Sequence, residues 1–404
     1  MNEIVLVAAL AWLLLCFWAY QGVFFYLARS GADAPSIAAL PDELDELGEQ
    51  ELPSITVLVP CYEEREIIAE KVANTLALQY PADKLEILWC DGGSSDGTVE
   101  KLEQLTADCA HSLVLRSPQR GKTQQLRYAL EQAKGSIIVQ TDCDAELPAD
   151  ALLVFARAFE QLPDAGVLGA WVEPKTDLAE EAAFWRDQNA LRRLESRGGV
   201  SSVVIAACYA YKREALTSLP PDVIADDVHI AFLCQKEGYA SYYLDAPRVL
   251  EVRAAQEVAS IWRHKFRKAH ANLRELARFA GRYGDTRLRW RVVFYSKFLQ
   301  SWVVPLSLPL GLPVLAWATL CYPLVVGATI AALALTTIGF SKQLASSAPR
   351  QESAPQQDGA PLGGGMLTQL KMFAMTILLL AAAGISYPWT KHDSSFKKLP
   401  SASQ

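Results

Sequence analysis

The segment GSIIVQTDCDAEL, residues 135–147, runs from an apolar stretch into two aspartates that flank a cysteine. Alternate residues of an extended chain share a face, so Asp142 and Asp144 can converge while Cys143 points elsewhere. Two hard carboxylates a few ångströms apart suit Mg²⁺ or Mn²⁺, ions that also accept phosphate oxygens as ligands. The other use of aspartates after a strand is to form a turn or cap a helix. A second pair, Asp226 and Asp227, stands in VIADDVHIAFLCQKEGY, 223–239, before a segment that places Val228, Ala231 and Phe232 on one helical face. One of these aspartates can cap that helix. Two adjacent carboxylates also repel each other, which raises the proton affinity of one of them.

Carboxylates so far apart in the chain need a frame that gathers them. ITVLVPCY (55–62) reads as a buried strand, EREIIAEKVANTLALQ as a helix, LEILWCDGG (85–93) as a strand with a glycine turn, and SIIVQTDCD as a further strand after another helix. Such alternation implies a parallel sheet with helices on both faces and a ligand crevice at the carboxyl ends of the strands. Polar residues stand at those ends: Tyr62 with Glu63 and Glu64, then Asp91, then Asp142 and Asp144. For Asp91, Ser94 and Asp96 the competing use is a tight turn followed by a capped helix.

The surroundings of this domain are apolar. Of 404 residues 51% are hydrophobic, and Ile4 to Leu27 is nearly free of charge. That run of roughly 24 residues is long enough to cross a bilayer, and Glu3 ahead of it, in place of a basic cluster, marks an uncleaved anchor. A second block, from about Val292 to Phe340 with Pro305, Pro309, Pro313 and Pro323 inside, has the length for two crossings, and a last one spans about Met372 to Trp389. The expected organisation is an anchor at 1–28, an acidic linker at 29–53 containing PDELDELGEQELP, a catalytic domain at 54–255, an amphipathic region at 256–290, membrane helices at 291–340 and 367–390, a disordered Pro/Gln/Ser/Gly-rich loop at 341–366 and a tail at 391–404. Eight cysteines show no CxxC pair and no metal-type spacing with the five histidines, which points to reduced thiols, a cytosolic domain and no zinc. A net charge of -7 offers nothing to nucleic acid. One anchor and three later crossings would put the lysine-bearing tail TKHDSSFKKLPSASQ outside, against the usual charge rule, so one apolar segment is expected to be interfacial or re-entrant.

The motifs VLVPCYEE, CDGGSSDGT, RGKTQQL and QTDCDAELP, in this order and spacing, resemble the family 2 glycosyltransferases with a GT-A fold over roughly residues 54–275. The flanking apolar segments are similar to the membrane-integrated branch that includes cellulose, hyaluronan and chitin synthases. The resemblance implies an α/β, Rossmann-like, mostly parallel sheet. It places Tyr62 and Glu64 around the nucleotide base, Asp91 at the base edge, Lys122 and Asp142 in the sugar-nucleotide site, and Asp144 as the Mg²⁺ or Mn²⁺ ligand of the D-x-D motif. It makes Asp227, the second member of an acidic pair that is usually Glu-Asp and is Asp-Asp here, the base that deprotonates the acceptor, with Asp226 beside it.

The segment QEVASIWRHKFRKAHANLRELARF, 256–279, repeats Trp262, Phe266, Ala269, Leu273 and Leu276 at helical spacing, with Arg263, Arg267, Lys268, His270 and Arg274 mostly elsewhere. This pattern predicts a basic amphipathic helix on the cytosolic membrane surface. Processive relatives carry Q-x-x-R-W nearby; the best match, His264-Lys265-Phe266-Arg267-Lys268, keeps only Arg267. Arg267 and His264 are the expected acceptor-side residues, with charge for an anionic acceptor in place of a stacking tryptophan. Arg127 stands where many relatives have asparagine. The resemblance therefore implies a membrane-bound inverting transferase moving a sugar from a nucleotide donor, a UDP-sugar favoured, to a growing polysaccharide, in the inner or plasma membrane with its catalytic domain in the cytosol. Transfer of one sugar to a lipid or short glycan is the alternative, and a non-catalytic nucleotide-binding scaffold a further one. A D-x-D-x-T phosphohydrolase is disfavoured because Ala145-Glu146 follow the pair, which lies deep in the chain.

Overall fold

A computed structural model of the chain describes residues 2–29, 52–176, 179–216, 219–253, 258–281, 287–346 and 366–389. Most of the expected acidic linker and of the 341–366 loop, and the tail 391–404, lie outside the described residues. Eight strands form one sheet: β1 (Ile55–Cys61), β2 (Leu85–Asp91), β3 (Ser112–Arg116), β4 (Ile137–Thr141), β5 (Ala145–Glu146), β6 (Ala165–Pro174), β7 (Cys208–Lys212) and β8 (Ala240–Glu251), in the order β3-β2-β1-β4-β7-β6-β8-β5. The first four are parallel, as their nearly unbroken apolar runs and intervening helices require. The other half is mixed: β7 runs antiparallel to β4 and β6, β5 antiparallel to β8, and β6 parallel to β8. Four of the seven strand pairings are parallel, as expected for a mostly parallel sheet, and the antiparallel ones lie in its second half.

Register brings the polar strand ends to one level. Cys61 pairs with Asp91, Asp91 with Arg116, and Leu58 with Gln140, so β1, β2 and β4 open together along one edge. Trp89, Phe155, Tyr209 and Phe232 are among the fully buried side chains that fill the layers behind that edge.

Two helices are long and apolar enough to cross a membrane, Asn2–Leu27 and Leu288–Cys321; shorter apolar helices are Pro323–Gly339 and Met375–Trp389. The expected apolar block at 292–340 is divided where Val304–Cys321 ends and Tyr322 leaves the helical conformation. The long helices each contain a π-turn, Trp18–Gly22 and Leu299–Val303, and are joined by polar bonds. Gln300 Nε2 donates to the Ala19 carbonyl and Tyr20 OH to the Gln300 carbonyl at 3.1 Å.

These helices are continuous with the core of the sheet domain. Val23, Phe24 and Leu27 share one apolar cluster with Phe232, Trp290 and Phe294, and the Phe232 ring meets those of Trp290 and Phe294 edge-on at 5.2 and 5.5 Å. Lys297 Nζ reaches the buried Glu195 carboxylate at 2.9 Å. The helix Val258–Phe279 forms as its spacing predicts. At its carboxyl-terminal end the apolar face is covered by protein: Leu273, Leu276 and Phe279 are buried, and Trp302 Nε1 donates to the Leu273 carbonyl at 3.2 Å. The carboxyl-terminal part of the stripe therefore forms a seam between domain and apolar helices, because a protein neighbour satisfies an apolar stripe as well as lipid does.

Candidate active site

At the end of β4 the chain leaves the sheet through a bond from Asp142 N to the Ala207 carbonyl, 3.1 Å. Cys143 turns inward, its Sγ donating to the Pro60 carbonyl at 3.3 Å and lying 3.4 Å from Cys61 Sγ. Asp142 and Asp144 are left half-buried on the cleft side. Burial raises the Asp142 carboxyl to about 6; Lys122 opposes this, while Asp144 and Asp226 add to it.

Lys122 opens the helix Lys122–Gln132 after Gly121, whose φ of 111° lies where glycine is favoured. Its ammonium is 2.8 Å from Asp142 Oδ1 and 3.4 Å from Asp226 Oδ2, so one cation ties the two acidic motifs together. Burial works against its charge, but Asp142 and Asp226 prevail and raise its proton affinity.

The helix Asp226–Lys236 begins at Asp226 itself, with Ala225 in the capping position and no side-chain cap. Capping is therefore not the role of either aspartate, although both lie in the first turn, where negative charge is favourable. Asp226 is 4% exposed. Its Oδ2 accepts bonds from Gln140 Nε2 at 2.7 Å and Tyr209 OH at 2.9 Å, in addition to Lys122. Burial pushes its carboxyl upward, but Lys122 and these two donors hold it below the ordinary range. Asp227 is half-buried and accepts only the adjacent Val228 N–H, 3.0 Å, among the hydrogen bonds of described residues. Burial and then Asp226 raise its proton affinity, against Lys268 and Lys122. The two neighbours are driven apart: Asp226 is a fixed anion, Asp227 an accessible carboxylate with enhanced basicity.

The remaining expected residues divide into two groups. Glu64 Oε2 pairs with Arg253 Nη1 at 2.7 Å, beside the half-buried Tyr62. Asp91 Oδ2 accepts the N–H groups of Gly93 and Ser94 at 2.7 and 3.0 Å, and Oδ1 accepts the Ser94 hydroxyl. Asp91 thus forms the tight turn, with one lone-pair site left on Oδ1 for a further donor. Asp96 Oδ1 accepts Thr98 N at 3.0 Å at the start of the next helix, the capping use. Arg267 faces the acidic cluster: burial weakens its hold on its proton, and Asp226, Asp142 and Asp227 oppose that. The helix also contains His264, whose side chain lies outside the described residues. Arg127 is not at the cleft; it lines a cavity of about 1000 Å³ at the amino ends of β1 and β4, with Pro53, Ile137 and Phe159.

Gln140, Tyr209, Arg253 and Lys71 had no assigned part in the sequence. Gln140 and Lys71 carried a usable signal: each is a polar residue inside an otherwise apolar face, in IIVQT and in the buried stripe Ile68, Lys71, Val72, Thr75. Among the described residues no group of three or more His, Cys, Asp or Glu side chains could hold a metal by itself. Two half-exposed carboxylates at a strand end, with no hydrogen bond or ion pair engaging that of Asp144 among the described residues, nevertheless fit a divalent cation that completes its shell with diphosphate oxygens and water.

An α/β sheet with acidic motifs along the carboxyl ends of β1, β2 and β4 defines a GT-A fold. The chain superposes on a mannosyltransferase from Pyrobaculum calidifontis, solved in complex with GDP-Man and Mn²⁺, with a TM-score of 0.66 and 22% identity, covering 96% of this chain and 99% of that one. Residues 56–219 match glycosyl transferase family 2, and the chain carries a family 2 glycosyltransferase domain. Similar curated proteins include the poly-beta-1,6-N-acetyl-D-glucosamine synthase of Staphylococcus aureus, 23% identical over 308 residues covering 73% of this chain and 72% of the relative. An N-acetylglucosaminyltransferase of Rhizobium sp. (strain N33) is 23% identical over 232 residues, 52% of this chain and 50% of the relative.

Proposed function

We propose that the chain is a membrane-bound inverting glycosyltransferase that passes a sugar from a nucleotide donor to a growing polysaccharide. The observation that carries this reading is the division of labour between adjacent carboxylates: Asp226 is fixed by Lys122, Gln140 and Tyr209, while Asp227 is open and made more basic. The acceptor hydroxyl gives its proton to Asp227 as its oxygen bonds to the anomeric carbon and the bond to the nucleoside diphosphate breaks. A single displacement of this kind inverts the anomeric centre. Tyr62, Glu64 and Asp91 take the nucleotide base, with Arg253 orienting Glu64. Lys122 and Asp142 line the sugar-nucleotide site, and Asp144, with Asp142, would hold Mg²⁺ or Mn²⁺, which supplies counter-charge to the departing diphosphate. Arg267 and Lys268, with His264, serve the acceptor side.

The two long apolar helices support a membrane location, with the domain on the cytosolic face. The name of the S. aureus relative supports a polymeric product and an N-acetylglucosamine donor, for which UDP is the favoured carrier. Single-sugar transfer to a lipid or short glycan is favoured by one observation, that His264 and Lys268 stand where the processive motif has glutamine and tryptophan. The full chain in detergent, given UDP-N-acetylglucosamine, UDP-glucose or GDP-mannose with Mn²⁺, is expected to release nucleoside diphosphate from one donor and build a long labelled product. Release from none of a broad donor panel overturns the transferase reading. A product one sugar longer than its acceptor overturns polymer synthesis alone.

A further inference from the structure

Beneath the Asp142–Asp144 loop lies a cation that the transfer reaction does not touch. The helix Ile68–Leu76 buries Ile68, Lys71, Val72 and Thr75 along one stripe, so Lys71 projects into the core at 3% exposure. A lysine there must bring its own acceptors, since a buried ammonium without them is expensive. Lys71 Nζ donates to Thr141 Oγ1 at 2.9 Å and to the Ala145 carbonyl at 2.6 Å. Those residues immediately precede and follow Asp142-Cys143-Asp144. Thr141 Oγ1 in turn donates to the Ala207 carbonyl at 3.0 Å, the group that also receives Asp142 N at 3.1 Å. The same helix grips the loop further on without any charge: Asn74 Nδ2 donates to the Leu147 carbonyl at 2.8 Å and Leu147 N to Asn74 Oδ1 at 3.0 Å.

We propose that Lys71 is the positioning residue of the carboxylate pair, clamping the loop at both flanks of Asp142-Cys143-Asp144 so that its side chains present a divalent-cation and diphosphate site. This rests on the reading of Asp142 and Asp144 given above. Lys71 touches neither donor nor acceptor. It acts through Thr141 and Ala145, as outer-shell groups fix the ligands of a metal. Burial weakens the hold of Lys71 on its proton, and the carboxylates of Asp142 and Asp144 are among the neighbours that oppose this; an ammonium there adds what an amide such as Asn74 cannot, charge balance from inside the core.

The test is calorimetric titration of the full chain in detergent with UDP and with GDP, with and without Mn²⁺; the readout is the gain in affinity that Mn²⁺ gives the tighter nucleotide. In Lys71→Met this gain is expected to fall about tenfold or more, the usual size of an outer-shell effect, while metal-free affinity stays within about twofold. Thr141→Val, which removes one of the two acceptors, is expected to lose part of the gain and carries the test if Lys71→Met does not fold. Asn74→Ala, which frees the same loop at Leu147, is expected to lower the thermal midpoint and keep the gain. A full gain in Lys71→Met, or in Thr141→Val where that variant stands in, overturns the proposal, as does an equal loss in Asn74→Ala, which would mark generic loosening. Asp144→Ala separates the layers. If it abolishes the gain while Lys71→Met keeps it, only the role of Lys71 falls; if it keeps the gain, the carboxylate-pair reading falls and the proposal with it.

Discussion

Replacing Asp227 by asparagine should cost activity and spare stability, whereas replacing Asp226 should cost mainly stability. Asp227 has its proton affinity raised in the folded protein, so above the ordinary carboxylate range its charge opposes folding. Asp227→Asn removes that charge and is expected to leave stability at neutral pH equal or higher, while turnover falls roughly 10²- to 10⁴-fold, the usual contribution of a positioned base. That loss corresponds to about 3–5 kcal/mol of barrier. Asp226 has the reverse sign: its depressed value contributes stability that is present above the ordinary carboxylate range and lost as pH falls through the folded-state value. Asp226→Asn strips Lys122 of its 3.4 Å partner but leaves the 2.8 Å contact with Asp142, and an amide oxygen can still accept from Gln140 or Tyr209. The cost should lie between a lost charge-assisted bond and a broken buried pair, about 2–4 kcal/mol. The smaller loss in turnover should come with an acid limb displaced to lower pH, since Asp227 no longer faces a like charge. Nucleoside diphosphate release and thermal unfolding of both variants, followed from pH 5 to 9, measure these effects. A destabilised Asp227→Asn that keeps more than a tenth of the rate, or a larger catalytic loss from Asp226→Asn, would refute the assignment.

Asp144→Ala should abolish Mn²⁺-dependent transfer; a residual rate above a tenth of the parent, on the order of one kcal/mol of barrier, argues against a cation at this carboxylate. Asp91→Ala should weaken nucleotide binding far more than it slows turnover at saturating donor, and should also loosen the Gly93–Ser94 turn; an unchanged donor Kd assigns Asp91 to the turn alone. Arg267→Ala should raise the acceptor KM while leaving nucleotide Kd intact, as competition binding against unlabelled nucleotide would reveal.

The parallel half of the fold was legible because its strands are short apolar runs punctuated by acidic or glycine turns, and chain order alone places such strands side by side. That Asp226 would raise the proton affinity of Asp227 followed from their adjacency, whereas the base role of Asp227 came only from the resemblance. The network that holds Asp226 followed from neither. Gln140 and Asp226 are 86 residues apart and meet only because β4 pairs with β7 and the helix Asp226–Lys236 ends over that edge. The mixed half escaped although strands and helices alternate there too, because alternation does not fix strand direction: β7 inserts antiparallel between β4 and β6. The apolar stripe of the helix Val258–Phe279 did not announce that protein covers its carboxyl-terminal end, because such a stripe does not say what buries it.

The shared cluster of Val23, Phe24, Leu27, Phe232, Trp290 and Phe294 bears on how the catalytic unit can be isolated. In many anchored enzymes a soluble fragment is obtained by cutting at the membrane boundary, because the linker there carries no side-chain contacts of consequence. Here a cut before residue 288 would remove Trp290 and Phe294 from the Phe232 ring and strip Glu195, 1% exposed, of Lys297. The fragment would display a raw aromatic surface and a buried carboxylate left with only its bonds from Ser202, a combination that favours aggregation. Shortening from the carboxyl end should therefore keep the chain through Val303 at least, and detergent or lipid belongs in the preparation from the first step.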